Sequence, residues 1–148
     1  RQGAHSIKWF VDNEDFKNGR NQSNDLPLIR YADILMMKAE AITRGATATK
    51  GDTPQSLFNQ IRSYVTAPTI DHNPSLDEIY EERGREFFDE NLRRIDMIRF
   101  GHFEDEYGFH KQGFQSAKFD KFRRIFPLHK INQLDTNPTW KQNPGYSK

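Results

Sequence analysis

The sequence predicts a mainly α fold within a single domain of 148 residues: a helical hairpin over 28–66, a charged helix over 75–100 and an irregular aromatic tail over 101–148. Apolar residues recur at helical spacings of three to five in three stretches, and strand alternation fits the longest of them far worse. Cap residues open two of these stretches. Glycine- and proline-rich segments separate them.

Residues 1–26 read as a loop-rich opening, with Ile7, Trp9, Phe10 and Val11 as a short apolar cluster before the turn-forming NEDFKNGRNQSND. An edge strand near Trp9 is compatible with this, and Trp9 is either an anchor for the opening segment or a stacking platform. The first helix is expected over about 28–43, with Leu28, Ala32, Leu35, Met36, Ala39 and Ile42 on one face, Pro27 ahead of it and Gly45 as its stop. Asp33 lies among apolar neighbours and needs a partner, for which Arg30 is the nearest candidate. The Met36–Met37 pair reads as core filler. Thr53 followed by Pro54 is an N-cap with proline in the first turn. A second helix to about Val65 follows, with an apolar face of Leu57, Phe58, Ile61, Tyr64 and Val65. Residues 30–65 thus span about the 34 residues of a tetratricopeptide unit, and Ala39 and Ala41 allow close approach. One such hairpin cannot bury both faces, so it requires neighbours, either upstream or in the helix that follows.

After the proline-bounded linker 67–74, Ser75 and Glu78 have the form of a capping box. The stretch 76–100, LDEIYEERGREFFDENLRRIDMIRF, carries Leu76, Ile79, Tyr80, Phe87, Leu92, Ile95 and Ile98 as its apolar stripe. Glu82, Glu86 and Glu90 form a ladder among Arg83, Arg85, Arg93 and Arg94, either a solvated salt-bridge face or a partly buried ion network that fixes how helices dock. Asp96, flanked by Ile95 and Met97, is expected to leave water on packing, with Arg93 and Arg99 each within reach. Gly101, Gly108 and Gly113 space out Phe103, Tyr107, Phe109 and Phe114 in an irregular loop. Phe119, Phe122 and Phe126 either pin the tail or offer rings to a sugar or peptide. The remainder reads as extended, with one helical turn near Ile131.

Composition narrows the function classes. The net charge is +1 and basic residues are interleaved with acidic ones, so the electrostatic footprint of a nucleic-acid binder is missing. With no cysteine, disulfides, thiol catalysis and thiolate metal sites are excluded. No run approaches the roughly 20 apolar residues of a membrane-spanning helix. The chain opens on Arg1 and shows no signal peptide, so a fragment or processed product is expected. A glycosidase needs two carboxylates facing each other roughly 5 to 10 Å apart. Glu82, Glu86, Asp89 and Glu90 instead share one helix with arginines, which lower carboxyl pKa values where a general acid needs one raised. His5, His72, His102, His110 and His129 are scattered without metal-ligand spacing, and neither a phosphate loop nor a nucleophile elbow is present, so no cofactor and no metal is expected.

Three segments in order resemble the carboxy-terminal region of the SusD/RagB-like family of outer-membrane nutrient-binding lipoproteins. They are LPLIRYADILMMKAEA (26–41), followed by Asn59 and Arg62; EERGREFFDENLRRIDMIRFG (81–101), with Glu82, Arg83, Glu86, Glu90, Arg93, Asp96, Arg99 and Gly101 at the family's spacing; and the closing QNPGY (142–146). The chain departs from the family pattern at Leu128 and His129, where members often carry isoleucine-proline. It also departs in Ser63-Tyr64-Val65, where many members show alanine-glycine, and the stretch to Asn137-Pro138 is about one residue longer. The resemblance implies the last part of a helical protein scaffolded by tetratricopeptide units, with this hairpin as its final unit. It also implies a non-catalytic role at the cell outer membrane as a surface-exposed lipoprotein. Such a protein captures glycans, or in some members peptides, and passes them to a SusC-like TonB-dependent transporter. The lipid anchor would lie amino-terminal to this chain. Ligand contacts in the family lie largely upstream, so the resemblance implies an architectural role for Arg30, Asp33, Glu82, Arg83, Glu86, Glu90, Arg93, Asp96 and Arg99. A protein-binding tetratricopeptide scaffold and a helical glycoside-active enzyme are the alternatives.

Overall fold

The computed structural model describes residues 8–9, 25, 27–105 and 120–146, with Ile131 by its backbone alone. The edge strand expected near Trp9 falls largely on residues outside that set, and the rings of Tyr107, Phe109, Phe114 and Phe119 lie outside it altogether. Among the described residues every regular element is helical. None of these helices is long and apolar enough to cross a membrane. The chain divides into two compact units, Arg1–Arg93 and Arg94–Lys148.

The first unit holds α1 (Tyr31–Thr43), α2 (Pro54–Tyr64) and α3 (Leu76–Glu86). Helix α1 packs against both others. Its Leu35, Met36 and Ala39 meet a core completed by Leu57, Phe58 and Ile61 of α2, Ile79 and Tyr80 of α3, and Phe87. Met36 and Ala39 are fully enclosed, whereas Met37 on the next position is exposed. Helix α1 starts later than Pro27 suggests, because the backbone is still extended at Arg30. Arg30, extended at φ −117° and ψ 151°, occupies the N-cap without a side-chain cap bond. Leu28 therefore precedes the helix and is exposed. Helix α2 has the cap its sequence promises: Ser56 N donates to Thr53 Oγ1 and Thr53 N to Ser56 Oγ, both at 3.0 Å. Leu57, Phe58 and Ile61 point inward, but Tyr64 and Val65, expected on the same face, are exposed.

The continuous helix expected over 76–100 is two helices, α3 and α4 (Arg93–Phe100). Asp89 (φ 62°) and Asn91 (φ 61°) take left-handed backbone between them. Asp and Asn tolerate that region better than most side chains, so FDEN supplies a break that apolar periodicity alone hides. The interruption resets the helical phase. Ile95, assigned to the stripe, is exposed, and Asp96 takes the inward position.

Both α1 and α2 end in Schellman geometry. After α1, Ala46 N donates to Ala41 O and Gly45 N to Ile42 O, both at 2.9 Å, with Gly45 at φ 102°. After α2, Ala67 N donates to Arg62 O at 2.8 Å and Thr66 N to Ser63 O at 3.2 Å, with Thr66 at φ 60°. A β-branched residue is strained there. Thr66→Gly is expected to raise stability by about 0.5–1 kcal/mol, relief of strain outweighing the greater freedom of glycine in the unfolded chain. A higher urea midpoint at unchanged slope would register this, and a lower midpoint would refute it.

Among its described residues the second unit contains α4 beyond Arg93, a 3₁₀ turn at Lys121–Arg124 and a π-type turn at Lys130–Leu134. The latter is the turn expected near Ile131. Its carboxy-terminal residues fasten the tail to itself. Gln142 pairs with the Leu128 backbone in both directions, at 2.8 and 2.9 Å. Asn143 Nδ2 donates to Phe126 O at 2.8 Å, and the Tyr146 hydroxyl donates to Ile125 O at 2.8 Å. The Tyr146 ring meets Phe122 edge to face at 4.8 Å. Phe122 thus pins the tail, while Phe126 is exposed on its outer side.

Candidate functional site: an arginine–carboxylate network beside an apolar groove

Helix α3 brings the charge ladder against α1. Arg83, almost wholly buried, donates from Nη1 to Asp33 Oδ1 at 2.7 Å. This replaces the local Arg30–Asp33 pairing expected from proximity in sequence. Arg30 instead reaches across to the end of α3, with Nη1 2.8 Å from Glu86 Oε1 and with Nε and Nη2 gripping Glu90 at 3.0 and 2.7 Å. The fork geometry of a guanidinium matches a carboxylate in a way that fixes orientation as well as distance. Phe87, buried, meets both arginines, whose guanidinium carbons stand 5.0 Å (Arg30) and 4.9 Å (Arg83) from its ring centroid. Each such contact adds cation–π attraction.

The Glu90 end is closed by the opening segment. Lys8 pairs with Glu90 and donates to Glu86 O at 2.6 Å, and the Trp9 indole donates to Asp89 O at 3.1 Å. Trp9 is therefore an anchor on the α3–α4 turn. Burial alone would raise the Glu90 carboxyl, but hydrogen bonds from Arg30 and Lys8 outweigh it and leave the pKa lowered. Burial likewise opposes the Arg30 charge, and the bonds to Glu90 and Glu86 overcome it, so its pKa is raised.

Glu82 is buried and accepts from Arg62 Nη1 and Arg85 Nη2, each at 2.7 Å. Arg62 also donates to Pro68 O in the linker. One turn earlier on α2, Asn59 pairs with both backbone groups of Ile70, at 2.8 and 2.9 Å. The Asn59-x-x-Arg62 spacing thus clamps the linker 67–74 and ties α2 to α3, a role that appears once the linker's path is known. Arg93 lies flat along α3: Nη1 donates to Tyr80 O at 2.8 Å, the guanidinium stands 3.7 Å from the Tyr80 ring centroid and Nη2 is 3.3 Å from Glu81. Gly84 permits this, since a Cβ there would stand 2.6 Å from Arg93 Nη1. Arg93 is accordingly not the partner of Asp96.

In the second unit Asp96, 1% exposed, accepts from Arg99 Nη2 at 2.8 Å. Arg94 fills a different role, with Phe126 at 4.1 Å and Phe103 at 5.3 Å from its guanidinium carbon, while Nη2 donates to Arg123 O and Arg124 O. Arg124 in turn grips Glu104 in a fork at 2.6 and 2.5 Å, which lowers the Glu104 pKa.

The α3 cap adds a pH-dependent contact. Glu78 N donates to Ser75 Oγ at 3.2 Å and Ser75 N to Glu78 Oε2 at 2.8 Å. His72 Nε2 stands 2.8 Å from Glu78 Oε1, and Nδ1 stands 3.2 Å from Asp71. The bond from the Ser75 amide, then those from His72 and the Ser75 hydroxyl, hold the Glu78 carboxyl down to about 2. Glu78, then Asp71, push the His72 pKa up. A depressed carboxyl contributes stability that is complete above its unfolded value of 4.5 and fades as pH falls toward about 2. A raised imidazole contributes below 6.5 and loses its contribution as pH climbs through the folded value. Glu78→Gln should therefore flatten the acid limb of a plot of urea midpoint against pH, and His72→Gln the limb above pH 6.5. An acid limb unchanged in Glu78→Gln would contradict the cap geometry.

Beside the network, a groove of about 690 Å³ opens between the start of α1 and the end of α2, lined by Tyr31, Leu35, Ile61 and Tyr64 with Gln60 and Ser63 at its polar edge. Among the described residues no cluster of three or more histidines and carboxylates is placed to hold a metal.

A hairpin joined to a third helix by crossed arginine–carboxylate pairs, and a tail bonded to itself, make up the described residues of a mainly α chain. The chain belongs to the SusD family, whose sequence profile matches residues 1–146. It is similar to the starch-binding protein SusD of Bacteroides thetaiotaomicron, with 26% identity over 150 residues that cover 97% of this chain and 26% of that relative's length.

Proposed function

We propose that this chain is the carboxy-terminal region of a non-catalytic glycan-binding protein of the cell outer membrane, one that captures oligosaccharide or polysaccharide for uptake through a partner SusC-like TonB-dependent transporter. The family match over residues 1–146 carries this reading, and the similarity to a protein named for starch binding supports the ligand class. Membrane attachment would come from a lipid anchor amino-terminal to residue 1. The network of Arg30, Asp33, Glu82, Arg83, Glu86, Glu90, Arg93, Asp96 and Arg99 serves as architecture, setting how the helices dock and leaving ligand capture to other surfaces.

The carboxylates support the non-catalytic assignment. Glu82, Glu86, Glu90 and Asp96 are each held by an arginine, and the Glu90 pKa is lowered where a general acid needs one raised. Calorimetry of the full-length protein against a panel of starch-type and other oligosaccharides, with reducing-sugar release followed in parallel, tests the reading. Binding without release is the expected result. Release would make it a glycoside-active enzyme, and no binding across the panel would favour a tetratricopeptide-type protein scaffold, for which the exposed Tyr31 and Tyr64 are the pertinent surface. Co-purification of the transporter with the tagged full-length protein tests the partnership.

A further inference from the structure

A depression of about 560 Å³ opens at the turn where α3 gives way to α4 and lies wholly within the first unit. Its volume falls in the roughly 300–1,000 Å³ range of small-ligand sites. Phe88, Asp89 and Asn91 line it and all three are exposed, Phe88 by 58%, although Phe87 beside it is buried. Glu90, between Asp89 and Asn91, is held inward by Arg30 and Lys8, and the Trp9 indole holds the Asp89 carbonyl. The turn backbone is thereby fixed, left-handed at both Asp89 and Asn91. Neither of those two side chains has a hydrogen-bond or ion-pair partner among the described residues.

We infer that this turn is a sugar-contact site for neutral glycans, an assignment that rests on the glycan-binding reading above and adds a contact within this chain. A pyranose offers an apolar C–H face and a rim of hydroxyls, which calls for an accessible ring with acceptors and donors at its edge. Phe88 supplies the ring. The Asp89 carboxylate accepts from hydroxyls, and the Asn91 amide both accepts and donates. All three are presented on a backbone already fixed from behind, so little ordering is needed on binding. The arginines of the lining are engaged: Arg83 by Asp33, Arg85 by Glu82 and Arg93 by Glu81. An acidic sugar would therefore face the Asp89 charge without a free guanidinium to offset it, which selects neutral units.

Calorimetry of the full-length protein and its variants against maltoheptaose, cellohexaose, xylohexaose and trigalacturonate tests it. For any neutral oligosaccharide that the parent binds, Phe88→Ala is expected to weaken affinity about three- to tenfold, and Phe88→Tyr, which keeps a ring, to match the parent. Asn91→Gly keeps the left-handed backbone and deletes the amide, and should weaken binding about threefold. Parental affinity in Phe88→Ala would overturn the site while leaving glycan capture by the protein intact. A loss that Phe88→Tyr shares would do the same, since stacking would then not be its cause. An equal dependence of trigalacturonate binding on Phe88 would overturn the neutral class. If the parent binds none of the neutral oligosaccharides, the glycan reading falls and this site with it.

Discussion

Replacing Arg83 with methionine is expected to remove about 3–5 kcal/mol of folding stability, the range for breaking a buried ion pair by deleting one partner. Arg83 is 3% exposed, donates to Asp33 at 2.7 Å and stands 4.9 Å from the Phe87 ring centroid. Methionine preserves much of the volume but leaves Asp33 without that donor. Arg30 is no substitute, because its guanidinium is gripped by Glu86 and Glu90. The Asp33 side chain retains 19% exposure, which places the loss toward the lower end of the range. Asp33→Asn in the Arg83→Met background should recover part of it, since the stranded charge is then removed. Urea unfolding of the two single variants and the double variant gives the coupling directly, expected at about 1–3 kcal/mol. Strict additivity would mean that the pair does not hold α3 to α1.

Gly145→Ala should cost about 3 kcal/mol, the sum of a left-handed backbone penalty and overpacking against a ring. Gly145 sits at φ 89°, and a Cβ there would lie 2.7 Å from Phe122 Cβ and 2.8 Å from Cδ1, and closer still to Cγ. These are inner atoms of the side chain, so Phe122 cannot yield by moving a flexible tip. The strain would be relieved by separating Tyr146 from Phe122 and Ile125. Limited proteolysis should then cut the tail of Gly145→Ala in the folded protein well before that of the parent. A tail equally resistant in both would refute the clasp.

Much of this architecture was legible because it is local. Thr53 followed by Pro54, and Ser75 with Glu78, act within three residues, so these caps could be read directly from the chain, although the return bond to Ser56 was not. Gly45 marked the end of α1 for the same reason. Asp96 was recognisable as bound for burial, and the half-buried Asp33 as needing a partner, since both stand among apolar neighbours. Their partners were less so. Asp33 is satisfied from α3 at a separation of 50 residues, and Arg30 reaches Glu90 across 60. Local proximity had favoured Arg30 for Asp33, and had left Arg93 and Arg99 equally eligible for Asp96. The α3–α4 break was hidden because Leu92, Ile95 and Ile98 continue a helical spacing through it, although Asp89 and Asn91 turn the backbone left-handed.

Helix type, the caps at Thr53 and Ser75 and the stop at Gly45 were thus determined by the sequence alone, because each depends on side chains within about one helical turn of the groups they serve. The pairing of those charges, the clamp of Asn59 and Arg62 on the linker, and the exposure of Tyr31 and Tyr64 were decided only by tertiary structure. A guanidinium can satisfy any carboxylate that packing brings within reach, and which one arrives is set by how α1 docks against α2 and α3.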